Sequence, residues 1–507
     1  MNLSDIVTRN VQFNPKATSL VCTEREIKFT HAEVDAMINR VGNALLDMGV
    51  EKGDRVAMYL PNTPEFIITH YAIARIGAIS VPFNIVYKSR EIEYILDNSK
   101  PKVLIGAASE TKENVMGILP QLPSVKQTVI LGDTDIAGAA SLSDILANGK
   151  SELKTADTTK NDVLSILYTS GTSGQPKGAM LTHGNYFLNA ELMNHHVLMI
   201  NDQDIFYTHV PYSHIFYVFA INSPMAAGAA VVSTPRFIPD NALMNFGKHK
   251  VTHYAGVPAM YIVFLNLYSP DKYDLTHWRW AQAAGSSMPM EHIQKIEETF
   301  GVAYCECYGA TETSSTVTYG RTGHGKAGSI GPVAQGWEVK IIDDKGNILG
   351  PEEIGEIVVR GPGLFVGYWD KPEATKEALD EDGWFRTGDM GKFDEDGYYY
   401  IVDRIKDLII TGGYNVYPRE IEEVLYSNPK ILEAAVIGIP DKVKGELPKA
   451  YIALKADVTA TEEEILQYCK ERMAFYKLPA AVEIVKELPK NPTGKILKRV
   501  IRDEWNK

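Results

Sequence analysis

Short apolar runs recur through the first third of the chain, and they leave room for only one layered fold class. "RVAMYL" (55–60), "KVLIG" (102–106) and "TVIL" (128–131) are too short for helices and lack polar alternation, so each reads as a strand buried on both faces. Amphipathic stretches lie between them. "AEVDAMINRVGNALLDMG" (32–49) has apolar residues at helical spacing and a terminal glycine stop. Strands buried on both faces need helices on both faces, which predicts an α/β fold of layered, largely parallel sheets. "DVLSILYTS" (162–170) adds one more strand to this series.

The texture changes later. From about 328 to 403 glycine-punctuated runs such as "WEVKIID", "GEIVVRG" and "GYYYIVD" predict a β-rich subdomain. After Asp403 comes a compact α+β tail: "REIEEVLYSN" as helix, "AAVIGIP" and "KAYIALK" as strands, and "TEEEILQYCKERM" as a second helix opened by a Thr461/Glu464 capping box. The division is therefore a large unit over 1–403 and a small one over 404–507. At 507 residues the length suits this.

Charge and cysteine usage exclude several classes. The net charge of -13 argues against a nucleic-acid surface. It is uneven: residues 404–507 carry +2 and the rest -15, so the tail is a less acidic module able to close over an anionic ligand. Four cysteines without C-x-x-C spacing give neither a disulfide framework nor a zinc site, and they fit a reducing compartment. "MNLSDIVTRN" is no signal peptide, which points to a cytoplasmic protein. The stretch 205–235 has no Asp, Glu, Lys or Arg, but His209, Pro211, His214, Asn222 and Pro224 make it a buried segment near a pocket, with no transmembrane segment expected.

The "ILYTSGTSGQPKGAMLTHGN" stretch (166–185) carries the chemistry. It is not a Walker A loop: counted from Gly171, the second glycine falls on Pro176, and Gly178 stands where Ser or Thr belongs. Its composition still suits phosphate. Thr169, Ser170, Thr172 and Ser173 offer hydroxyls, Gly171 and Gly174 let backbone N–H groups approach an anion, and Lys177 adds a point charge. On these residues alone, a surface loop remains open as the alternative.

With four further motifs in order, "YGATET" (308–313), "FRTGDMG" (385–391), "DRIKDLIITGGYNVYPREIE" (403–422) and "PTGKILKR" (492–499), the chain resembles the adenylate-forming enzymes: acyl- and aryl-CoA synthetases, luciferases and peptide-synthetase adenylation domains. It is most similar to bacterial fatty-acid–CoA ligases. The resemblance implies an AMP-forming acid–CoA ligase that uses ATP, magnesium and CoA. It assigns the quoted loop to the leaving phosphates, Glu312 to magnesium and Thr311 to the α-phosphate. Gly285, Ser286 and Ser287 become the adenine wall, Tyr308 the ring that stacks on adenine, Glu306, Cys307 and Gly309 further ATP-binding residues, Asp389 the ribose contact and Arg404 a second ribose or phosphate contact. Ser287 stands where many relatives have proline. Lys495 becomes the catalytic lysine, Lys406 the hinge of a mobile C-terminal domain, and Gly412, Gly413 and Tyr414 the CoA channel. Ile410 stands where some relatives carry a second lysine.

His214 in "VPYSHIFYVF" matches the histidine beside the carboxylate, with Phe216, Tyr217, Gly285 and Gly309 around the acyl group. A medium- or long-chain fatty acid is the first expectation, and aryl or alicyclic acids the second. A homodimer is compatible with this pattern. A non-catalytic nucleotide-binding protein of the same fold is the alternative of another class.

Overall fold

The structure is a computed structural model and describes residues 1–133, 136–169, 176–285, 288, 290–320, 326, 328–412, 414–491 and 494–505. The three apolar runs are central strands of a seven-stranded sheet. In spatial order it contains Ala140–Ser141, Gln127–Leu131, Val103–Ala107, Arg55–Tyr59, Ile79–Pro82, Val163–Thr169 and Lys177–Thr182. All pairings are parallel except the last, where Val163–Thr169 and Lys177–Thr182 form an antiparallel hairpin with Thr169 opposite Lys177. Val56, Met58, Val103 and Ile105 are fully buried on one face and Ala57 and Leu104 on the other, as strands covered on both sides require. The expected helix is His31–Asp47, opened by a Thr30/Glu33 capping box.

An eight-stranded sheet packs beside it. Its inner strands, Ala303–Tyr308, Trp280–Ala283, His253–Gly256, Ile205–Thr208, Ala230–Ser233 and Thr18–Cys22, run parallel. Four of them end side by side at Tyr308, Ala283, Gly256 and Thr208, so the residues that follow gather at one rim of the sheet. Ligands of open parallel sheets bind outside such carboxyl ends. The uncharged 205–235 stretch is not a single span: it folds as Ile205–Thr208, a π-helical turn (Val218–Asn222), the helix Ser223–Ala227 and Ala230–Ser233. Among the described residues no helix is long and apolar enough to cross a membrane.

The β-rich stretch is an antiparallel meander of Glu338–Ile342, Gly355–Arg360, Phe385–Phe393 and Tyr399–Arg404. The tail builds its own sheet around the hairpin of Ile431–Asp441 and Gly445–Leu454. The helices Pro418–Tyr426 and Glu462–Lys470, the second with its Thr461/Glu464 capping box, close a core of Ile421, Leu425, Val436, Ile452, Ile465 and Val482. The fold is therefore α/β, with a large N-terminal domain and a small C-terminal one.

Candidate active site

The strand-end rim supplies the first group of residues. Tyr308 closes its strand, and its hydroxyl donates to Asp389 Oδ2 at 2.8 Å. Asp389 lies in the meander, where Arg404 is its cross-strand partner and places Nε 3.2 Å from Oδ1. Each acceptor oxygen of Asp389 thus has its own partner. Glu306, two residues before Tyr308, accepts from the Met288 backbone N–H at 2.8 Å, and burial pushes its carboxyl up to about 7. It thereby holds the Met288 backbone, and Gly285 has φ +89°. Cys307 pairs with Tyr319. Ser286 and Ser287 lie outside the described residues.

Beyond Tyr308 the chain turns sharply. A Cβ on Gly309 would lie 1.6 Å from the Ser315 carbonyl, so this glycine is required by the turn itself. The turn buries Thr311 and carries Glu312. Tyr368 donates to Glu312 Oε1 at 2.8 Å. Burial raises the Glu312 carboxyl, while that hydrogen bond and the positive charges of Arg404 and Lys177 pull it back.

Lys177 opens the second strand of the hairpin, and its Nζ sits 5.1 Å from the centre of the Tyr368 ring. One residue earlier, the Pro176 carbonyl accepts from the Tyr94 hydroxyl at 2.8 Å. Ser170, Gly171, Thr172, Ser173 and Gly174 lie outside the described residues, and Thr169 ends the first strand.

The tail brings one residue into this rim. A turn in which Asn491 N–H donates to the Lys495 carbonyl and Gly494 N–H to the Asn491 carbonyl presents Lys495. Burial, then the nearby positive charges of Arg404 and Lys406, push its ammonium down to about 8 against the pull of Asp389 and Asp407. His214 lies near enough to feel Lys495, and burial together with that charge holds its imidazole down at about 4. The Phe216 N–H donates to His214 Nδ1 at 3.3 Å, so in the neutral ring Nε2 carries the proton.

The side chains of Phe216 and Tyr217 diverge. Phe216 packs edge-on against Phe219, which meets Phe206. Tyr217 turns the other way and packs among Phe66, His70 and Tyr212. On the tail, Tyr414 is 51 % exposed and stacks on Tyr476 at 4.6 Å, beside Gly412 with φ +57°. Gly413 lies outside the described residues. Lys406, exposed, follows the last meander strand by two residues.

Sequence reasoning passed over Tyr368 and Tyr94. The only sequence signal for Tyr368 is the "GYW" run, whose backbone is laid along the Lys177–Thr182 strand: Met180 N–H donates to the Gly367 carbonyl and Trp369 N–H to the Gly178 carbonyl.

The profile of the AMP-binding enzyme family matches residues 7–369, and that of the AMP-binding enzyme C-terminal domain matches residues 420–495. The chain belongs to the AMP-binding enzyme family. It is 35% identical to a long-chain-fatty-acid–CoA ligase of Bacillus subtilis, over 99% of this chain and 94% of that one. An anthranilate–CoA ligase solved with anthranoyl-AMP superposes with a TM-score of 0.93 at 31% identity, covering 99% of this chain and 96% of that one. ATP-bound MatB from Rhodopseudomonas palustris superposes at 0.90 and 31% identity over 100% and 99% of the chains; its apo form superposes at 0.79. The protein is an AMP-forming acyl-CoA synthetase, and ATP and CoA are its family's cosubstrates.

Proposed function

We propose that this member activates an aliphatic carboxylic acid, of the medium- or long-chain fatty-acid class, as acyl-AMP and then transfers the acyl group to CoA. The carrying observation is the insertion of Lys495, from the tail, among Arg404, Asp389 and His214. A lysine pushed into a site against two other cations stores a repulsion that an arriving anion relieves. The substrate carboxylate and the α-phosphate are both anions, and they must meet there.

In the first step a carboxylate oxygen bonds to the α-phosphorus and the bond to pyrophosphate breaks. Lys495 offsets the charge of the crowded phosphoryl centre, and the loop with Lys177 takes the leaving pyrophosphate. Thr311 faces the α-phosphate. Asp389 and Arg404 hold the ribose. Neutral His214, with its proton on Nε2, borders the acid without pairing its charge. Glu312 fits a magnesium ion: it is a half-buried carboxylate with one oxygen held by a hydroxyl, and hard cations prefer such oxygens. The ion would neutralise phosphate charge as it enters with ATP. In the second step the CoA sulfur bonds to the acyl carbon, AMP leaves with the electrons of the broken bond, and the thiol proton is released. For this the tail turns about Lys406, taking Lys495 out and bringing Gly412, Gly413 and Tyr414 in.

The Phe216–Phe219–Phe206 wall supports an apolar acyl group, and the curated relative named above is a fatty-acid ligase. The likeness to the anthranilate–CoA ligase favours an aryl acid as the second reading. ATP–pyrophosphate exchange with a panel of alkyl and aryl acids tests both. Exchange should be strongest with alkyl acids; ADP formation, or no stimulation by any acid, refutes the proposal.

A further inference from the structure

Two charged groups of the candidate site, Lys177 and Glu312, have opposite signs and sit on neighbouring elements. Left to themselves they would pair, and the pair would consume the charge that each is needed to offer: Lys177 to phosphate, Glu312 to a cation. One side chain stands between them. Tyr368 gives its ring face to the Lys177 ammonium at 5.1 Å and its hydroxyl to Glu312 Oε1 at 2.8 Å.

The position of Tyr368 is fixed by backbone on both sides. Phe365 N–H donates to the Glu312 carbonyl at 2.8 Å and Trp369 N–H to the Gly178 carbonyl at 2.7 Å, so the segment is tied at one end to the carboxylate's turn and at the other to the lysine's strand. Tyr368 N–H donates to Thr375 Oγ1 at 2.9 Å, and its ring meets Phe365 edge-on at 4.8 Å. Gly367 enters with φ +133°, and a Cβ there would meet Thr375 Cγ2 at 2.8 Å, so the approach also needs glycine.

We infer that Tyr368 is a positioning residue for adenylation: it keeps Lys177 and Glu312 apart and aimed, ready for the nucleotide's phosphates and its divalent cation. An ammonium over a ring face is held by the ring quadrupole yet keeps its donors free. A carboxylate bonded through one oxygen keeps the other for a metal. This inference rests on the roles proposed above for Lys177 and Glu312.

The test uses the whole chain as wild type, Tyr368→Phe, Tyr368→Leu, Glu312→Gln and the Tyr368→Phe/Glu312→Gln double variant. Three quantities are measured: the MgATP dependence of acyl-adenylate formation, calorimetric binding of ATP in EDTA, and thioester formation from supplied acyl-adenylate. Tyr368→Phe loses a hydrogen bond to a charged group and should raise the KM for MgATP about tenfold, with kcat within about twofold. It keeps the ring, so ATP binding in EDTA stays within about twofold. Tyr368→Leu frees Lys177 to pair with Glu312 and should weaken ATP binding in EDTA about fivefold. In the Glu312→Gln background Tyr368→Phe should add less than about twofold, because its partner is gone. A wild-type KM in Tyr368→Phe, an equal loss with Glu312 already replaced, or equal losses in both half-reactions overturns the inference. If wild type makes no acyl-adenylate with any acid, the proposed function fails, while the EDTA binding of Tyr368→Leu still decides the role of Tyr368.

Discussion

The protonation of Lys495 gives a measurable signature of the proposed first step. Burial and the neighbouring cations lower its ammonium from 10.5 to about 8. A base with a lowered value is charged below that value and loses its charge as pH rises through it. If the charge is what adenylation uses, kcat/KM for acyl-adenylate formation should follow the ammonium: about nine-tenths of it is present at pH 7 and about one-tenth at pH 9, a fall of about tenfold. Bound phosphates favour the charged form, so the limb in kcat should lie at higher pH than the limb in kcat/KM. The thioester step, with Lys495 turned away, should show no such fall. Single-turnover kinetics with labelled ATP between pH 6.5 and pH 9.5, as the chosen window of about three units, reads the first step; supplied acyl-adenylate reads the second. Lys495→Ala should slow adenylation about 10²-fold or more and abolish the limb, while thioester formation stays within several-fold of wild type. Lys495→Arg should be slower than wild type but flat with pH. A limb that survives in Lys495→Ala, or equal losses in both steps, would contradict a rotating tail that carries the charge.

Other variants test separate parts of the reading. Lys406→Pro stiffens the proposed hinge in the observed pose, so single-turnover assays should show thioester formation slowed and adenylation kept; slowing of adenylation alone would place the hinge elsewhere. Tyr217→Ala removes a ring packed on Phe66, His70 and Tyr212; it should lower stability by about 3–5 kcal/mol in urea unfolding and, because that ring turns away from Phe216, leave the acyl chain-length preference within about twofold. A shift to longer chains in folded protein would put Tyr217 in the acyl pocket beside Phe216. Lys498 lies 2.8 Å from Glu422 in the tail core, so Lys498→Met should cost about 3 kcal/mol in the same unfolding assay, and a loss under about 0.5 kcal/mol would show that Glu422 is satisfied without it.

Elements were legible in the sequence where one physical rule governed them. Apolar runs such as 55–60 and 102–106 had to be doubly covered strands, and the Thr461/Glu464 box had to start a helix. Motif residues were legible as residues but not as partners. Nothing in "YGATET" shows that the Tyr308 hydroxyl meets Asp389, 81 positions away, because that contact depends on how the meander folds over the strand-end rim. Phe216 and Tyr217 read as one pocket lining, yet neighbours on a helical turn point about 100° apart, and the structure sends one to Phe219 and the other to His70. Tyr368 was invisible for a different reason: an uncharged aromatic in a glycine-rich turn has no chemistry of its own until Lys177 and Glu312 are set on either side of it.

The hairpin that carries the candidate phosphate turn has a consequence for product escape. Thr169 and Lys177 face each other across two antiparallel strands, and the next helix begins only at His183. A strand that feeds straight into a helix places the helix's fixed positive end behind a bound polyphosphate. In the role proposed for this hairpin, its described ends would offer the Lys177 ammonium and the Thr169 hydroxyl, which mobile ions and water can replace. Pyrophosphate is the one product that must clear the site before the acyl group moves on. A phosphate site held in that way would favour release over retention, and so keep the adenylate from being driven back to ATP.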